Sequence, residues 1–84
     1  MNRDWNTFVQ RQDFEKLAPL AQGLFLENAM TRLDLSRDDF ASRISVSRSC
    51  LKKWLVDQKS EDFRRMPLMA WKFLSEILER ESAR

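Results

Sequence analysis

Between Ser36 and Lys53 the chain places five cationic side chains, Arg37, Arg43, Arg48, Lys52 and Lys53, among the hydroxyls of Ser36, Ser47 and Ser49. Ammonium and guanidinium groups attract phosphate by charge. Arginine also donates two parallel hydrogen bonds to planar acceptors, and serine hydroxyls reach either phosphates or base edges. From Phe40 to Val56 there are four cations and no acid, a local positive field suited to a polyanion. The formal net charge of +2 conceals this asymmetry. Residues 1–35 hold four basic and five acidic side chains, residues 36–65 eight and five, and residues 66–84 three and three. Lys59, Ser60, Arg64 and Arg65 extend the basic region and are placed to hold phosphates beside it. A solvated face with uneven charge gives the same counts, so charge alone leaves both readings open.

What the chain lacks narrows the chemistry. It has no histidine, one cysteine and one glycine. The usual acid–base group, a thiolate–imidazole metal cluster, an intramolecular disulfide and a glycine loop for phosphates are therefore not expected. An enzyme is the weakest of three function classes, and no cofactor or metal is anticipated. Cys50, near a helix start, is read as a small half-buried side chain rather than a nucleophile. No apolar run approaches the ~20 residues of a membrane span, and no signal-peptide core is present. A cytoplasmic protein without a membrane partner is expected. With 84 residues, 43% hydrophobic and 33% charged, the chain has the balance of one small globular domain.

Helical spacing of apolar residues predicts an all-α fold, a compact bundle of about five helices. An N-terminal lid (residues 1–18) comprises a short helix from Trp5 to Gln10 capped by Asp4, with Trp5, Phe8 and Val9 on one face. A turn capped by Asp13 then carries Phe14 and Leu17. Pro19 suits the first turn of a long helix to Leu33, with Leu20, Ala21, Leu24, Phe25, Ala29, Met30 and Leu33 inward and Gly23 at a close helix contact.

Residues 36–55 then read as two short amphipathic helices. Ser36 caps the first, with Asp39 completing a capping box, and Phe40, Ala41 and Ile44 point inward. Val46 plugs the corner. Ser47 opens the second helix, whose Leu51, Trp54 and Leu55 face the core while Arg48, Ser49, Lys52 and Lys53 face out. A loop from Val56 to Met66 follows, anchored by Phe63. Pro67 begins a final helix, assigned to residues 67–81 with a frayed end. Ala70, Phe73, Leu74 and Ile77 form one stripe on it, which Leu68, Trp71 and Leu78 widen. Either this helix is central to the core, or Trp71, Leu74 and Leu78 pair with a second subunit.

Phe40, Ala41, Ile44, Val46, Ser47, Leu51 and Trp54 together resemble the helix-turn-helix of repressors of the lambda-repressor and Cro type. The likeness is strong over residues 36–55 and looser over 20–78. The wider arrangement is similar to small plasmid and phage autoregulators of the KorC kind. The resemblance implies a homodimeric repressor that reads an inverted-repeat operator in double-stranded DNA. Arg48, Lys52 and Lys53 would then donate to guanine, and Ser47 and Ser49 would reach bases or phosphates. Ser36, Arg37, Arg43 and Lys59 would hold the backbone. Ser45 departs from the family, which usually has glycine there, so a positive φ is expected at a non-glycine residue. The alternative from another class is a protein-interaction module, an antitoxin- or adaptor-like helical domain, which the wide apolar last helix favours.

Overall fold

Five helices follow one another in the computed structural model, which describes residues 5–82: α1 (Trp5–Val9), α2 (Phe14–Leu33), α3 (Arg37–Arg43), α4 (Arg48–Leu55) and α5 (Leu68–Ser82). The described residues contain no strand, and the all-α fold is as the spacing predicted. Asp4, expected to cap α1, lies outside the described residues, as do Ala83 and Arg84 of the expected tail.

The second helix is longer than its sequence suggested. It starts at Phe14 and runs through Pro19, which therefore sits in its second turn rather than opening it. A proline here leaves the Glu15 carbonyl without its helical N–H partner. The Arg65 guanidinium takes that place, donating to the Glu15 carbonyl at 2.7 Å. A distant side chain thus repairs the helix, which local sequence does not reveal. Asp13 stands at the start, but its carboxylate makes no cap bond and instead pairs with Arg11 at 2.8 Å. The hydrogen bond from Arg11 holds the Asp13 carboxyl below its ordinary range.

Starting at Phe14 also fixes a different inward face. Phe14, Ala18, Gln22, Phe25, Leu26, Ala29 and Met30 are buried, whereas Leu20 and Leu24, expected inside, are 65% and 54% exposed. Gly23 is not a close contact either, because a Cβ added there would meet nothing within 4 Å.

The rings of α1, α2 and α5 meet around Trp71. Phe25 stacks on it at 4.4 Å, Phe14 meets it edge-on at 5.2 Å, and Trp5 meets Phe25 edge-on at 4.7 Å. Phe8 joins at 5.6 Å from both Phe14 and Trp71. The N-terminal aromatics are therefore core packing, as a lid requires. Asn6 adds a side-chain hydrogen bond to the Glu79 carboxylate, tying α1 to α5.

Trp71, Leu74 and Leu78 are only 1%, 0% and 2% exposed within a single chain. They cannot form the dimer contact that the second reading of the last helix assigned to them, because α1 and α2 already occupy that face. Phe73, expected inside, is instead 48% exposed, and Ser75 is buried with its hydroxyl donating to the Trp71 carbonyl at 2.7 Å. Pro67 precedes α5 by one residue, its carbonyl accepting from Ala70 and Trp71, and helix continues to Ser82.

Candidate nucleic-acid interface

The segment from α3 to α4 is set by two left-handed residues and two serine caps. Helix α2 ends as Asp34 turns to φ 56°, with the Leu35 N–H donating to the Met30 carbonyl at 3.0 Å and the Asp34 N–H to Thr31 at 3.2 Å. The same six-to-one and five-to-two pair of bonds ends α3. Val46 N–H reaches the Ala41 carbonyl at 2.9 Å, Ser45 N–H reaches Ser42 at 3.2 Å, and Ser45 has φ 61°. The positive φ expected at Ser45 is thus present. No glycine relieves either turn; an L side chain in this region costs roughly 1–2 kcal/mol.

Each short helix then begins on a serine. The Ser36 hydroxyl accepts from the Asp39 N–H at 3.1 Å, and the Ser47 hydroxyl from the Cys50 N–H at 3.0 Å. Phe40, Ala41, Leu51 and Trp54 are buried, with Ile44, Val46, Cys50 and Leu55 packed at the edge of the core.

A buried glutamine holds this unit against the rest of the chain. Gln22, 1% exposed, donates through Nε2 to the carbonyls of Trp54 and Arg64, each at 2.9 Å, and accepts from the Met66 N–H at 2.7 Å. One side chain from α2 thereby fixes the end of α4 and the loop behind it. Met66, at 4% exposure, anchors that loop, rather than Phe63, which is only half-buried and outside the core cluster.

All nine side chains nominated for phosphate and base contact, Ser36, Arg37, Arg43, Ser47, Arg48, Ser49, Lys52, Lys53 and Lys59, are exposed. Arg37, Arg48, Ser49, Leu51 and Lys52 line one shallow groove, so α3 contributes to the same surface as α4. Ser49, Lys52 and Lys53 line a second depression with Val56 and Asp62. Arg43 and Lys59 belong to neither lining.

Two acids modify the face that the sequence shows as acid-free. The Asp38 carboxylate pairs with the Arg48 guanidinium across the turn, and Asp62 reaches the Lys52–Lys53 depression from the loop. Arg37 lies 3.7 Å from Glu27. These pairs are largely exposed and exchange readily for another anion. Arg64 and Arg65 are engaged elsewhere, contrary to their expected role beside the recognition surface. The Arg64 guanidinium donates to the Glu61 and Phe63 carbonyls, and Arg65 holds Glu15.

No family model, curated protein or solved structure matches the chain. Any functional reading therefore stands on this geometry. The described residues contain no group of acids, cysteine and histidine arranged for a metal ion, and no helix long and apolar enough to cross a membrane. What the arrangement offers is a two-turn helix anchored on its inner side by Leu51 and Trp54, with its outer side made of cations and hydroxyls.

Proposed function

We propose that the chain is a sequence-specific double-stranded DNA-binding repressor in which α3 and α4 act as a helix-turn-helix and α4 enters the major groove. The observation that carries this reading is the exposed set Arg48, Ser49, Lys52 and Lys53 on one side of α4, joined by Arg37 on a shared groove. A groove about 12 Å wide admits a single helix, and the Arg48, Lys52 and Lys53 side chains are long enough to reach its floor. Lys52 and Lys53 lack ion-pair partners among the described residues and are available to guanine or phosphate.

Arg48 exchanges Asp38 for a guanine edge or a phosphate, so Asp38 orients it before contact and competes with DNA for it. Ser36 and Ser47 accept cap bonds through their oxygens and keep their O–H groups for phosphates. Arg43 and Lys59 serve as flanking phosphate contacts. By occupying an operator as a pair of copies in the cytoplasm, such a protein blocks a promoter. A protein-interaction module is the second reading, favoured by exposed Leu20, Leu24, Leu68, Met69 and Phe73.

Selection of bound duplexes from a random pool tests the proposal. Enrichment of an inverted repeat with half-sites about one helical turn apart is the expected outcome. Recovery of an unenriched pool at low salt would remove sequence-specific binding.

A further inference from the structure

Arg48 is the first residue of α4, and the acid that holds it, Asp38, lies in the first turn of α3. Their ion pair bridges the two helices beside the groove that Arg48 and Lys52 line. Lys52 and Lys53, the other cations of α4, have no such partner among the described residues. The Arg48 and Asp38 side chains are 63% and 67% exposed, and a pair so exposed adds little to stability. Folding therefore gives no account of an acid placed on the first residue of α4, the end from which a recognition helix meets base edges.

The two exchanges open to Arg48 are unequal. A phosphate offers what Asp38 already offers, anionic oxygen, and it must either displace the carboxylate or share one guanidinium with it. Displacement trades one anion for another and leaves Asp38 bare beside a polyanion; sharing sets two anions against each other. Guanine is different, because its O6 and N7 are uncharged acceptors lying side by side. Asp38 accepts from Nη1 of Arg48. The Nε and Nη2 groups form the other edge of the guanidinium, which matches O6 and N7 and can be used before Asp38 lets go. An acid at this position thus penalises phosphate contact by Arg48 more than guanine contact.

We infer that Asp38 is a specificity-determining residue, which withholds Arg48 from the phosphates of non-cognate DNA and yields it to guanine. The inference rests on the DNA-binding reading. It is tested by salt titrations of the full chain on two duplexes, one recovered by selection from a random pool and one of mixed sequence without that site. On the mixed duplex Asp38→Asn should bind roughly two- to fivefold tighter, the range that an exposed ion pair commands. Its slope of log affinity against log salt should steepen by about 0.9, one further phosphate contact. On the selected duplex the gain should be smaller, so the ratio of the two affinities falls. Asp39→Asn makes the same charge change in the same turn without freeing a cation, and should leave the slope as it is. Asp38→Asn on an Arg48→Ala background should do the same. An unchanged affinity of Asp38→Asn for the mixed duplex, an equal steepening in Asp39→Asn, or a steepening that persists without Arg48 would each overturn the role of Asp38 while wild-type binding to the selected duplex still stands. A wild type that binds neither duplex at low salt would overturn the DNA-binding reading and this inference together.

Discussion

Around Trp71 five aromatic rings from α1, α2 and α5 lie with adjacent centroids between 4.4 and 6.3 Å. Around Ser45 the chain turns on backbone bonds of 2.9 and 3.2 Å and on two serine caps, with only Phe40, Ala41, Leu51 and Trp54 fully inside. The first region gains its stability from apolar area and ring contact. The second adds Phe40, Leu51 and Trp54 to the same core, but its turn and helix starts are specified by directional bonds. A region built this way can keep one side of α4 exposed and charged without weakening the fold. Its dependence on Gln22 is the cost, because this one buried polar side chain makes three hydrogen bonds to the end of α4 and the loop behind it.

The contrast can be broken from either side. Trp71→Ala removes the ring at the centre of the aromatic cluster and should lower unfolding free energy by about 3–5 kcal/mol in denaturant titration. A loss below about 1 kcal/mol would show that this cluster is not the main source of stability. Gln22→Leu keeps the bulk of the side chain but strands the Met66 N–H and the Trp54 and Arg64 carbonyls. It should cost about 2–3 kcal/mol. Amide exchange should then accelerate in α4 and residues 56–66 more than in α5; uniform acceleration would contradict the division into two regions. Ser45→Gly relieves the φ of 61° and should raise stability by up to about 1 kcal/mol, read as a higher melting temperature. A lower melting temperature would mean that the serine is not strained.

Features governed by neighbours a few residues away were legible in the sequence. Ser36 and Ser47 as caps, Val46 at the corner and the inward Leu51 and Trp54 follow from helix periodicity and turn chemistry, whereas the left-handed Ser45 is what the family resemblance implies. Features closed by distant partners were not. Gln22 looks like a surface residue until backbone groups 32 to 44 positions away converge on it. Pro19 looks like a helix start until Arg65 supplies the missing donor. Leu20 and Leu24 outweigh Ala18 and Gln22 in hydrophobicity, so the register of α2 was misread. On the candidate interface, the outward cations were read correctly as exposed, but Asp38 and Asp62 arrive from outside the acid-free stretch. Trp71, Leu74 and Leu78 were legible as apolar, with the monomer's core and a second subunit both open as their partner; their burial within one chain decides for the core.

The outward face of α4 is tested most directly by the salt dependence of duplex binding, comparing the wild type with Lys52→Ala/Lys53→Ala. Both lysines are exposed, so the variant should keep its melting temperature within the roughly 0.5 kcal/mol range of surface substitutions. Each phosphate contact contributes a slope of about −0.9 to log affinity against log salt. The double variant should bind more weakly at every salt concentration, with a slope shallower by about 1–2 depending on whether each lysine meets phosphate or base. Equal affinity and equal slope for the two proteins would contradict the assignment of α4 as the DNA-contacting helix.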